Sequence, residues 1–150
     1  MLALARDTHS DRQPIDVAAL TFGAQARFKQ RLHDGRSMTV EVSEAMPRPI
    51  ASMSAVAQAL DVLIENAIRH GAGQVRITAR PTGHHGTMIA VSDEGQGLIE
   101  GDVLRERRAD SARGHGIGLA LARRLVEAEG GQLRLACAGP NPRFEIILPA

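Results

Sequence analysis

The chain has 150 residues, 43% of them apolar, with three Phe and neither Trp nor Tyr. That is one domain's worth of sequence with enough aliphatic side chain for a core. A net charge of +1 and a single Cys argue against binding nucleic acid in bulk and against a disulfide framework, and the Cys usage points to a reducing compartment. No apolar run approaches the roughly 18 residues of a membrane span.

The opening "MLALARDTHS" has no h-region or cleavage site of a signal peptide. It reads as the last turn or two of a helix whose beginning lies elsewhere, and "DTHSDRQP" as a linker. Asp16 is placed to cap a helix running to about His33, with Val17, Leu20, Ala24, Phe28 and Leu32 on one side and Gly35 ending it. "SMTVEVS" alternates as a strand does, and "PRPIAS" reads as a Pro-broken edge or loop. From Met53 to His70 the spacing predicts a strong helix, buried along Val56, Leu60, Leu63, Ile64 and Ala67.

"QVRITARP", "TGHHGT" and "MIAVSD" predict a hairpin. Gly95 to Arg113 has no apolar period and reads as a long, mobile loop. A helix from Gly116 to Glu129 is expected to bury Ile117, Leu121, Leu125 and Ala128, with "GG" stopping it. "QLRLACA", "GPNP" and "RFEIILP" predict a second hairpin. This order implies an α+β fold, a two-layer α/β sandwich whose mixed, mostly antiparallel sheet carries its helices on one face.

Three clusters carry chemistry. Gly114, Gly116 and Gly118 open the last helix, where free N–H groups and the helix dipole suit an anion. The spacing is neither a P-loop nor a dinucleotide fingerprint. Asn66, Arg69 and His70 share one helix face at the edge of the buried stripe. An Asn amide oxygen suits a Mg²⁺ held mainly by phosphates and water. The same residues also allow a plain Glu65–Arg69 ion pair and a His at a helix C-terminus. Asp93 ends a strand, with Gly95 and Gly97 just beyond it. Glycines let a ring approach the backbone. A carboxylate there accepts from adenine's exocyclic amine and repels guanine's carbonyl oxygen, though an ordinary Asp-Glu-Gly turn has the same sequence.

Taken together, the order and spacing resemble the Bergerat ATP-binding fold, shared by DNA gyrase, a class of heat-shock chaperone, mismatch-repair ATPases and histidine kinases. "ALDVLIENAIRH" resembles the N box, "VSDEGQGL" the G1 box, and "GHGIGLALARRLVEAEGG" the G2 box. The last is similar to the sensor histidine kinase pattern along its whole length. The resemblance implies ATP and Mg²⁺ as ligands, with Asn66 holding the metal and Asp93 reading adenine. Gly95 and Gly97 would shape the base pocket. Gly114, His115, Gly116, Ile117, Gly118 and Leu119 would line the nucleotide, Arg69 and His70 would touch phosphate and nucleoside, and Arg113 would close from the lid. Asn66, Arg69 and Arg113 are the implied catalytic set.

Two departures stand out. "VLRERRAD" lacks the aromatics that usually precede the G2 box, and the lid is short. In the hydrolysing branches and in serine-kinase anti-sigma factors a Glu precedes the N-box Asn by four residues, where it can activate a water or hydroxyl. Here that residue is Val62, and Glu65 points about 100° away on the helix. This favours phosphoryl transfer to a histidine over hydrolysis and over an anti-sigma serine kinase; against the remaining alternative, a non-catalytic nucleotide module, stand Asn66, Asp93 and the glycines, and for it the missing aromatics.

His9 lies too close to Asn66 to leave room for a two-helix hairpin, and His84 and His85 read as solvated turn residues. The implied organisation is a hairpin end and linker over residues 1–14 and a catalytic ATP-binding domain over 15–150. The acceptor histidine would sit on a dimerisation hairpin, in the same full-length chain or in a partner. A response regulator would act downstream. The domain would be cytoplasmic, and the full-length kinase a homodimer anchored in the inner membrane.

Overall fold

The computed structural model describes residues 12–97 and 115–150. A five-stranded sheet runs in the order β2 (Met38–Val42), β4 (Val75–Pro81), β5 (Thr87–Ser92), β7 (Arg143–Leu148), β6 (Gln132–Cys137). β2 and β4 pair in parallel, and the other pairs are antiparallel. Among the described residues three α-helices form the second layer: α1 (Val17–Phe28), α2 (Met53–His70) and α3 (His115–Ala128). The expected two-layer α+β architecture is what forms.

Side chains of one sheet face make the core with the helices. Ile77, Ala79, Ile89, Val91, Ile146 and Leu148 pack with Leu20 and Phe28 of α1, Leu60, Leu63 and Ile64 of α2, and Val126 of α3. On the opposite face Glu145 is buried beneath two arginines, accepting from Arg134 Nε at 2.8 Å and Arg143 Nε at 2.9 Å. Burial pushes this carboxyl up, but the hydrogen bonds from Arg143 and Arg134, with their charges, outweigh it and hold the group below the ordinary carboxylate value.

α2 forms where the spacing predicts it. The Ser52 hydroxyl accepts from Ala55 N at its start. The apolar residues at helical spacing are buried, with Ala55 and Ala59 added to the expected stripe. α1 starts as expected, with Asp16 accepting from Ala19 N, but stops at Phe28. Lys29–Arg31 form a 3₁₀ turn and Leu32 is extended. There Arg31 stacks 5.2 Å from the Phe28 ring centroid and reaches Glu65 Oε1 at 3.0 Å. These contacts replace the further helical turn that Leu32 suggested.

The end of the expected linker forms a strand, β1 (Arg12–Pro14), antiparallel to β3 (Ile50–Ser52) within "PRPIAS". α3 differs in its buried stripe. Ala122, Val126 and Glu129 are buried, whereas Leu121 is 39% exposed, Ala128 is exposed and Leu125 is half-buried. Small residues let α3 approach α2 closely: a Cβ at Gly118 would lie 3.5 Å from Val62 Cγ1. The row Gly118–Ala122–Val126 therefore faces inward, with Leu119 and Leu125 at its flanks against the core and Leu121 left on the outer side. After α3, Gly130 takes φ +79°, and Gly130 N donates to Glu127 O and Gly131 N to Val126 O. That is the Schellman ending expected of "GG".

Candidate functional site

The end of α2, which carries Asn66, Arg69 and His70, is locked to the turn after β5, which carries Asp93 and Gly95. Gly71 N donates to Ala67 O at 3.0 Å and closes the helix. Ala72 N then donates to Asp93 Oδ1 at 3.2 Å, and Gly95 N donates to the same oxygen at 2.7 Å. Glu94 N donates to Ala72 O at 2.8 Å, and Glu94 Oε1 accepts from Gln74 N at 2.6 Å. Two turns are thus laced into one unit around a carboxylate that is only 7% exposed. Asp93 Oδ1 is committed to two backbone amides. No donor among the described residues reaches Oδ2.

The glycines around this carboxylate are required by the chain itself. A Cβ at Gly71 would collide with the Asp93 carboxyl and with Ala67 O. One at Gly95 would sit 2.7 Å from Asp93 Oδ1. Gly97 has φ +86°, and a Cβ there would run into the main chain of Ala138 and Gly139. So the close approach at Gly97 is by the β6–β7 connection.

Asn66 is half-buried on the last turns of α2, and its amide has no partner among the described residues. Arg69 and His70 are exposed. The plain alternative of a Glu65–Arg69 pair does not form: Glu65 pairs with Arg31 across to the first helix region. Val62 and Asn66 share a helix face, and Gly118 abuts Val62. α3 begins at His115 and includes Gly116 and Ile117, and its Gly118 meets α2 one helical turn before Asn66. Leu119 packs partly against the core. Arg113 and Gly114, with the expected loop from residue 98 onward, lie outside the described residues.

One residue that holds the site, Arg36, carries no signal in the sequence pattern. The Arg36 guanidinium donates to Gly73 O (2.8 Å), Ile68 O (2.8 Å) and Ala67 O (3.0 Å). It thus satisfies the Ile68 carbonyl left open at the end of α2, gives Ala67 O a second donor and holds the turn at Gly73 against the helix. Gly71 and Gly73 did have a legible signal, since "HGAGQ" places two glycines straight after a helix. Gly73 has φ +65° and abuts Glu94.

These groups fit an adenine nucleotide with a hard cation. Asp93 offers one carboxylate oxygen free of donors among the described residues, suited to an exocyclic amine. Asn66 offers a neutral oxygen, and Arg69 an exposed cation. Among the described residues there is no group of three or more His, Cys, Asp or Glu that would cage a metal. A Mg²⁺ here would therefore depend on phosphate and water oxygens, as Mg²⁺ commonly does.

An α/β sandwich with this laced turn, joined to a glycine-rich helix start, defines a nucleotide-binding ATPase domain. The chain belongs to the family of histidine kinase-, DNA gyrase B- and HSP90-like ATPases, whose model matches residues 52–150. Within it, the alginate biosynthesis sensor protein KinB of Pseudomonas aeruginosa is 29% identical over 143 residues, covering 89% of this chain and 24% of KinB. The chain therefore spans about a quarter of that relative's length. Full-length ShkA, solved in complex with AMPPNP, superimposes with a TM-score of 0.79 at 26% identity, covering 92% of this chain and 31% of ShkA. The ATP-binding domain of PrrB from Mycobacterium tuberculosis does so at 0.68 and 25% identity, covering 93% and 98% of the two chains.

Proposed function

We propose that this chain is the ATP-binding catalytic domain of a sensor histidine kinase, which moves the γ-phosphoryl group of ATP to a histidine on a separate helical hairpin. The observation that carries the reading is the Asp93 carboxylate, fixed through Oδ1 by Ala72 N and Gly95 N and free at Oδ2 of any donor among the described residues. It is a preorganised acceptor for the adenine amine. Asn66 holds Mg²⁺, which when bound neutralises charge on the β- and γ-phosphates. Arg69 adds a cation at the same end of α2. The N–H groups of residues 114–119 cradle the phosphates at the dipole-positive start of α3, and Arg113 closes from the lid.

Val62 in place of an acidic residue supports transfer over hydrolysis, because no carboxylate on the face of Asn66 is available to activate water. The proposed organisation has the end of the acceptor hairpin and a linker over residues 1–14, with the catalytic domain from 15 to 150. Leu121 and Ala128 are exposed on the outer side of α3 and offer an apolar edge on which a hairpin helix can dock. The hairpin belongs to the full-length chain or a partner, it passes the phosphoryl group to a response regulator, and the whole kinase is a membrane-anchored homodimer.

The test mixes this chain, ATP and Mg²⁺ with a separately expressed histidine-bearing hairpin. Acid-labile, alkali-stable label on the hairpin is expected, and Asn66→Ala should abolish it with the fold intact. Stoichiometric label on this chain alone, lost in His9→Ala, would make it a self-contained kinase and overturn the reading.

A further inference from the structure

The nucleotide-binding ends of α2 and α3 are opposite to a second, buried junction. Glu129 follows the last turn of α3 and is 3% exposed. Its Oε1 accepts from Ser52 N at 2.7 Å, and Ser52 is the N-cap of α2. Arg12 Nε lies 3.5 Å from the same oxygen. Arg12 Nη2 also donates to Ile50 O at 3.4 Å and Glu129 O at 3.5 Å. One guanidinium on the β1 arm therefore ties the start of α2 to the end of α3.

Two contacts show that these helices run antiparallel: Gly118 abuts Val62 near one end, and Glu129 meets Ser52 at the other. The lever between them is about 15 Å, ten or eleven residues at a helical rise. The helix pair is pinned at the Arg12 end, and Asn66 and the start of α3 face each other beyond the Gly118–Val62 contact. A small change of splay at the pin changes the spacing of the nucleotide-binding residues. The pin itself depends on the arm, because a buried carboxylate that loses its cation is left with an uncompensated charge.

We propose that Arg12 is a positioning residue that couples docking of the β1 arm to nucleotide affinity, through Glu129 and the N-cap of α2. With the arm docked, α2 and α3 hold the spacing that ATP requires. With the arm pulled away by whatever precedes it, the pin loosens and affinity falls. Linkage makes the effect reciprocal: bound nucleotide holds the arm down by the same factor. The coupling rests on the ATP-site reading above.

The experiment measures binding of a non-hydrolysable ATP analogue with Mg²⁺ to the full chain, together with amide exchange at Ile15, whose N–H donates to Pro49 O at the base of the arm. Arg12→Ala should weaken binding about fivefold or more, the lower end of typical coupling. The analogue should slow Ile15 exchange by the same factor in the unmutated chain and not in the variant. Arg12→Lys, which keeps the charge without the fork, should restore part of the affinity.

Glu129→Gln keeps an acceptor for Ser52 N. It should match the affinity loss of Arg12→Ala with little change in melting temperature, which separates coupling from a folding defect. Unmutated affinity in folded Arg12→Ala or Glu129→Gln, or Ile15 exchange indifferent to the analogue, overturns the proposal while leaving the ATP site standing. An unmutated chain that binds no analogue sinks the site reading and this coupling with it.

Discussion

Replacing Asp93 by Asn separates the two jobs of that side chain. Oδ1 accepts from Gly95 N at 2.7 Å and Ala72 N at 3.2 Å, and an Asn amide oxygen can keep both bonds. The other position changes from a charged acceptor to an NH₂ donor that opposes the adenine amine. The loss is one charge-assisted hydrogen bond, about 1.5–3 kcal/mol, so ATP should bind at least about tenfold more weakly. Stability should barely move. Asp93→Ala removes the same acceptor and also strips both amides of their partner. At about 1–3 kcal/mol for the buried Gly95 N–H and about 1–2 kcal/mol for the part-buried Ala72 N–H, stability should drop by roughly 2–5 kcal/mol. Calorimetric titration with ATP and Mg²⁺, run beside urea unfolding of both variants, measures the two effects separately. Asp93→Asn binding ATP as tightly as the parent, or losing as much stability as Asp93→Ala, would refute this division of roles between the two oxygens.

Arg36→Ala removes three donors from the carbonyls of Ala67, Ile68 and Gly73 and should lower the unfolding free energy by about 2–4 kcal/mol; Arg36→Lys should recover little of it, since a single ammonium cannot reproduce the fork, and an unchanged urea midpoint in Arg36→Ala would refute the cap. Gly71→Ala drives a methyl into Asp93 and Ala67 O, so it should cost about 1–3 kcal/mol and weaken ATP binding together. Gly83→Ala, where a Cβ meets nothing within 4 Å, is the neutral control; equal behaviour of the two in melting and titration would contradict the packing argument. For Glu145, whose folded-state carboxyl is held below the unfolded value of 4.5, the stabilisation is fully present above that value and is lost as pH falls through the lower folded one. Glu145→Gln should therefore flatten the acid limb of a stability–pH curve measured by urea unfolding, and an unaltered limb would remove Glu145 from the account.

What the sequence made legible was local. The stripe from Val56 to Ala67 fixes α2 within one stretch, Asp16 caps α1 from the position just before it, and Asp93 with Gly95 marks a turn. The strands alternate or run apolar in the way the sheet needs, so the layer order follows. Readings failed where a distant partner decided. Leu32 continues the α1 period, but Arg31 is drawn to Glu65 on α2. The leucine row of α3 has the stronger helical period, yet Gly118 and Ala122 allow the closer approach to α2 and take the inner side. Arg36 finds its carbonyls 31, 32 and 37 residues away, and Glu129 meets Ser52 across 77. No spacing rule reaches so far.

Titrating the unmutated chain with ATP and with GTP, each with Mg²⁺, tests most directly the proposed adenine selectivity of the site at these two helices and the Asp93 turn. ATP should bind at least about tenfold more tightly, because guanine presents a carbonyl oxygen where Asp93 needs a donor. Superimposable curves for the two nucleotides would contradict it.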